Sequence, residues 1–233
     1  MAFDTLTLAH IGLGTATLCL YWATFAQVKG SRRHRRLGRL FLWSWVPVLA
    51  SVGGVTVLKS SSFTPPELIQ FVYLSVCVAV VSATAFLAIR WKRDLARFRG
   101  HWFKAAGAAI FALGALVLAA GLATGAVLPM TFSTVGLIYG GAMLRFAWMR
   151  TPVHANWPMI WHLNGMIFLF NAIHGTLAAV IWRAAIDPAA GEAVQVVSHF
   201  GTLAICLALR LYWGARYGAP LRMAAGRTAA LAA

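Results

Sequence analysis

The chain has 233 residues, of which 61% are hydrophobic and only 11% charged, and its mean hydropathy is +0.75. An ordinary soluble domain carries roughly 25% charged residues, so water is excluded as the main solvent, and apolar runs of this number leave no room for a soluble catalytic domain. The formal net charge of +15 would suggest nucleic acid in a soluble protein, but here the basic residues lie between apolar runs, where topology signals belong, and a nucleic-acid partner is excluded.

Apolar runs read against charge and Pro/Gly punctuation predict helices near 5–28, 39–58, 67–91, 102–125, 128–149, 158–183 and 193–214. A hydrocarbon core of about 30 Å needs roughly 20 apolar residues per crossing. The expected fold is therefore all-α, an integral membrane bundle of seven transmembrane helices over residues 1–217, followed by a short basic Ala-rich tail over 218–233 that is expected as a frayed or surface-lying helix. The chain opens Met-Ala-Phe-Asp, and its first basic residue, Lys29, follows the first apolar run. A cleavable signal peptide has the reverse order, so the first span is expected to stay in place. Pro65-Pro66, Pro129 and Pro158 stand at the starts of the third, fifth and sixth spans, where a missing N–H costs nothing. The division between the fourth and fifth spans is an uncharged turn, Gly121 to Pro129.

Under this map the segments Lys29–Arg39, Arg90–Lys104 and Arg145–Pro158, with the tail from Arg210, hold 18 of the 20 Lys and Arg residues. Lys59 and Arg183 fall on the other side with four of the five acids, Asp4, Glu67, Asp187 and Glu192. The positive-inside rule then puts the N-terminus outside and the C-terminus in the cytoplasm, in a bacterial inner membrane. Trp91, Trp102, Trp148, Trp157, Trp161 and Trp213 lie near the basic ends and Trp182 near the other, as an interfacial belt requires. The lipid bilayer is the first partner, and the basic loops are expected to touch anionic lipid. Gly107, Gly114 and Gly121 recur at seven-residue spacing and Gly136/Gly140 form a GxxxG, a pattern for close helix packing. Cys19, Cys77 and Cys206 lie inside apolar runs without CxxC spacing and read as packing residues.

Ionisable groups inside spans are costly and point to function. No span has a central Asp or Glu, which disfavours a carboxylate-driven transporter. Arg145 and Arg210 sit close enough to the basic ends to snorkel. What remains is histidine. At 1.5 Å per residue, His10, His199 and His174 lie roughly 9, 10 and 13 Å below their outer ends, one layer on three helices. Asn164, Asn171 and His174 share one side of the sixth span and are expected to face the bundle interior. Two histidines from different helices at one depth suit a b-type haem, with His174 and His199 the first pair and His10 the alternative ligand. A His-only copper or zinc site would use all three as metal ligands. Asn171 and Ser198 could hydrogen-bond the periphery of a haem or a quinone head. A second haem could use His162 with His34 or His101, although His162 and His174, twelve residues apart, point about 120° away from each other.

His10 in the first span, Lys-Gly-Ser-Arg-Arg-His34-Arg-Arg-Leu-Gly38 opening the second, and Arg-Trp-Lys-Arg-Asp with His101 after the third resemble a family of uncharacterised bacterial multi-pass membrane proteins with a first-span histidine and an H-R-x-x-G loop. That resemblance implies membrane localisation and importance for His10 and His34. Histidine placement alone is also similar to helical b-type cytochromes and to membrane factors that mature haem–copper oxidases. The leading expectation is a haem-binding or redox-linked membrane component, in electron transfer or cofactor maturation. The alternatives are a non-catalytic accessory subunit of a larger membrane complex and a small-solute transporter.

Overall fold

The structure is a computed structural model that describes residues 5–225. Asp4, counted above among the outer acids, and Arg227 of the tail lie outside the described residues. The described chain is helical, in the order α1 (Thr5–Phe25), α2 (Arg32–Leu58), a 3₁₀ turn Ser60–Ser62, α3 (Pro65–Arg90), α4 (Leu95–Phe98), α5 (His101–Thr124), α6 (Val127–Val135), a π-helical turn Gly136–Gly140, α7 (Gly141–Ala147), α8 (Trp157–Ala185) and α9 (Glu192–Arg216). Counting α6, the π turn and α7 as one continuous rod, seven helices among the described residues are long and apolar enough to cross a membrane. The protein is an all-α, multi-pass membrane protein.

Local chemistry sets the helix ends. Ser31 caps α2 by accepting the His34 N–H at 3.1 Å, so α2 begins at Arg32 and not near residue 39 as the charge pattern predicted. Arginines keep a segment out of the hydrocarbon but do not oppose helix formation, and the helix runs on beyond the apolar stretch. Glu67 reaches back to the Thr64 N–H at 2.7 Å and its hydroxyl at 2.9 Å, a capping box at the start of α3. Gly125 at φ +69° ends α5 in the left-handed region and makes the uncharged turn between the fourth and fifth spans.

The contacts divide the chain into two compact units, Met1–Ala79 and Val80–Ala233. In the first, α1 and α2 form a hairpin whose buried side chains are Thr17, Tyr21 and Thr24 against Phe41, Trp45 and Val48. The closing loop is tied at the end of α1. The His34 ring donates from Nδ1 to the Thr24 carbonyl at 3.3 Å, and Gly38, one turn further on, faces the Thr24 methyl. Spacing of four residues puts His34 and Gly38 on one face of α2, so the H-R-x-x-G loop works here as a helix-end clasp. Lys29 donates to the Phe25 carbonyl and lies 4.4 Å over the Phe25 ring. Burial against that ring pushes its ammonium pKa below the usual lysine value.

In the second unit α5 packs on α6, the π turn and α7 through its glycines. A Cβ on Gly107 would lie 2.9 Å from the Met143 Cβ, and one on Gly140 would lie 2.9 Å from the Gly107 carbonyl oxygen. A Cβ on Gly114 would come within 3.1 Å of the Ser133 oxygen and the Leu137 nitrogen. The seven-residue glycine repeat and the GxxxG thus bring backbones together, and no space for a flat cofactor lies between them. The second half of α3 meets α8 the same way, with Gly165 against Ala85 and the His162 Nδ1–H donating to the Ala85 carbonyl at 3.1 Å.

Two tryptophans of the expected interfacial belt are core residues instead. Trp161 is 0% and Trp157 6% exposed. Both pack around Phe98 and Phe146, with Phe98 and Trp157 ring centroids 4.8 Å apart. The reason is the one-turn helix α4, which folds the segment between α3 and α5 back into the unit and supplies Phe98 as a buried plug. Trp148 and Trp182 are exposed, as belt residues should be.

Candidate functional site

A run of polar side chains lies along the α8–α9 hairpin, with a polar or glycine-mediated contact at nearly every turn. Near the loop, Arg183 donates to the Ala190 carbonyl at 3.2 Å and reaches the Gln195 side chain at 3.4 Å. One turn deeper the His199 ring lies on Gly175, where a Cβ would fall 2.7 to 2.9 Å from three ring atoms. Next, the Thr202 hydroxyl donates to Asn171 Oδ1, and Cys206 Sγ–H donates to the Ile167 carbonyl at 3.4 Å. Last, Arg210 Nε–H donates to Asn164 Oδ1 at 2.6 Å. Residues 195, 199, 202, 206 and 210 are one face of α9 at three- and four-residue spacing. In lipid, where apolar surfaces gain nothing from leaving water, such bonds and close contacts are what hold helices together.

Asn164 and Asn171 therefore face a neighbouring helix, as the stripe on the sixth span predicted. His174 is half-buried on the same helix. It donates from Nδ1 to the Phe170 carbonyl of its own helix at 2.9 Å and stacks on the Phe170 ring with centroids 3.9 Å apart. His199 is 8% exposed, donates from Nδ1 to the Gln195 carbonyl at 2.8 Å and presents its ring to the edge of Phe132. Ser198, expected at a cofactor's periphery, accepts from Thr202 through its backbone carbonyl at 3.0 Å. In the other unit, His10 donates from Nδ1 to Ser51 Oγ at 2.8 Å, while the Ser51 hydroxyl donates to the Val48 carbonyl.

One face of the His199 ring is covered by the Gly175 backbone of α8. Among the described residues no group of three or more His, Cys, Asp or Glu side chains is placed to hold a metal ion.

Arg210 corrects a second expectation. It does not snorkel, for it is only 5% exposed. Besides Asn164, its guanidinium donates to the Ala219 carbonyl at 2.8 Å and the Pro220 carbonyl at 2.9 Å. All three acceptors are neutral, so the buried charge is solvated by oriented dipoles and not by a carboxylate. Gly214 makes the space, since a Cβ there would lie 2.8 Å from the Ala219 oxygen. Over the described residues 217–225 the chain after α9 is accordingly not a helix. It turns at Gly218, φ +58°, and Asn156 donates to the Tyr217 and Gly218 carbonyls at 2.6 and 3.1 Å. It then pairs with the α7–α8 loop through His154 N–H to the Met223 carbonyl and Ala225 N–H to the Pro152 carbonyl, both 2.8 Å. Sequence reasoning missed this clasp; the available signal was an arginine one turn before a Gly, followed by Tyr-Gly-Ala-Pro.

Comparison of the chain with family models, with curated proteins and with solved structures finds no match. The resemblance to bacterial multi-pass proteins rests on the residues quoted for it.

Proposed function

We propose that this protein is a non-catalytic accessory component of a larger membrane complex, in a bacterial inner membrane with its N-terminus outside and its C-terminus in the cytoplasm. The observation that carries this reading is the use of the interior polar side chains. Asn164, Asn171, Thr202 and Arg210 bond across the α8–α9 hairpin or to the chain that follows it, and His199 is wedged against Gly175. These contacts hold the helices in register. The orientation is supported by the distribution of 18 basic residues to one side and two to the other.

A second reading, the haem-binding or redox-linked component, has one observation in its favour. His174 is half-buried, and its Nδ1–H is anchored on the Phe170 carbonyl. A backbone carbonyl that fixes one ring nitrogen is the supporting hydrogen bond usual for a metal-ligating histidine. Purification from native membranes in mild detergent tests both. The accessory reading expects stoichiometric membrane subunits in the same peak and no Soret band before or after dithionite. A monodisperse lone chain overturns it. A Soret band with a reduced α band that disappears in His174→Ala overturns it in favour of haem.

A further inference from the structure

The segment between α3 and α5 carries more cationic charge than helix connection requires. Arg90, Lys92, Arg93 and Arg97 line, with Trp91 and Asp94, one open depression of about 350 Å³, within the range of roughly 300–1,000 Å³ occupied by small-molecule sites. The backbone beneath it is held firmly. Asp94 Oδ1 accepts the Arg97 N–H at 2.8 Å and caps α4, so the one acid of the depression is engaged with the main chain. Arg99, the remaining arginine of the segment, donates to the Ala147 carbonyl at 2.7 Å and the Met149 carbonyl at 2.9 Å. Phe98 is buried under the segment at 0% exposure.

On this base the four cations are exposed. Arg90, Lys92 and Arg93 donate to no acceptor among the described residues, and the Arg97 guanidinium lies 4.6 Å over the Trp91 ring. Trp91 in turn meets Trp102 edge to face at 6.0 Å. Four cations share the depression with a single carboxylate, so positive charge is in excess there, and an anion brought among them offsets the remaining repulsion. Guanidinium groups fit phosphate oxygens in pairs. The depression also lies between the end of the span Glu67–Arg90 and the start of the span Leu95–Thr124, which is the depth of lipid headgroups, and indole rings favour that depth.

The geometry points to a binding site for the phosphate of an anionic phospholipid headgroup, formed by Arg90, Lys92, Arg93 and Arg97 with Trp91 as the platform for Arg97. The site does not depend on the accessory reading above. A free phosphate ion has the same chemistry, and the test separates the two.

The full chain is purified in neutral detergent, and thermal unfolding is followed as dioleoyl phosphatidylglycerol, dioleoyl phosphatidylcholine or inorganic phosphate is added. Phosphatidylglycerol is expected to raise the midpoint in a saturable way, and the other two are not. A surface cation contributes about 1 kcal/mol to anionic-lipid attraction, or about fivefold in affinity. The R90Q/R93Q/R97Q variant should therefore bind phosphatidylglycerol about a hundredfold more weakly, while R32Q/R33Q/R216Q, which removes three exposed arginines elsewhere, keeps the wild-type affinity. If the first triple variant fails to fold, R93Q alone should weaken binding about fivefold. Equal affinity in every variant overturns the site in favour of diffuse attraction, and an equal shift from inorganic phosphate overturns the lipid assignment in favour of a free anion.

Discussion

The α1–α2 hairpin and the α8–α9 hairpin are built from helices of similar length and apolar content, yet they are held by different means. Between α1 and α2 the cross-helix polar contacts sit toward the ends, with His34 on Thr24 near the loop and Lys59 on Thr7 near the open end, joined by His10 on Ser51. The middle is closed by Thr17, Tyr21, Phe41, Trp45 and Val48. Between α8 and α9 a polar or glycine-mediated contact recurs at nearly every turn and ends in a buried arginine. A membrane hairpin can thus be fixed by packing with a few end ties or by a continuous polar seam. The seam has more to lose, because each donor or acceptor stripped of its partner is left in a medium that cannot hydrogen-bond it.

The largest test of this contrast is Arg210→Met. It strands the Asn164, Ala219 and Pro220 acceptors, at about 1–3 kcal/mol for each unsatisfied group. The expected loss is about 3 kcal/mol in reversible unfolding from mixed micelles, together with faster tryptic cleavage at Arg222 as the segment after α9 lets go. Gly214→Ala keeps the charge but drives a Cβ to 2.8 Å from the Ala219 oxygen, and it should release the same segment. If cleavage at Arg222 is unchanged in both variants, the clasp is not what holds the tail.

Gly175→Ala should come next. Its Cβ would stand 2.7 Å from the His199 ring, and overpacking of this kind costs about 1–3 kcal/mol. Adding His199→Ala should recover part of the loss, because the ring is what the methyl group meets. A double variant less stable than the sum of its parts would show that His199 does more than pack there. The smallest effect belongs to the first hairpin. Removing the His10–Ser51 bond by either partner's alanine variant should cost about 0.6 kcal/mol, the average for hydrogen bonds between membrane helices. A double-mutant cycle should return a coupling of that size. A coupling above that of Asn171 with Thr202 would reverse the ranking of the two hairpins.

The legible parts of the molecule were those set by local composition. The predicted boundaries of the third, fourth, sixth and seventh spans fall within about two residues of the helix ends at Arg90, Thr124, Ala185 and Arg216, an error usual for frayed ends. The start of α2 was missed by seven residues because Arg32, Arg33, Arg35 and Arg36 were read as loop. They bar a segment from hydrocarbon while leaving its helical hydrogen bonds intact. At the candidate site, helical periodicity correctly aimed Asn164 and Asn171 at a neighbour. It did not distinguish a ligand from a strut, since that depends on what stands across from the side chain.

By itself, the sequence determined that the chain is a multi-pass helical membrane protein, which helices cross, and that its inner polar stripe lies on the sixth span. These follow from a length of roughly 20 apolar residues and a period of about 3.6, both of which act along the chain. Only the tertiary structure decided that Trp157 and Trp161 belong to the core, that Arg210 is buried under the returning chain, and that His199 rests its ring face on Gly175. Each of those outcomes depends on an atom supplied by another helix or by the chain folding back, and spacing along one helix gives a direction without naming what is met there.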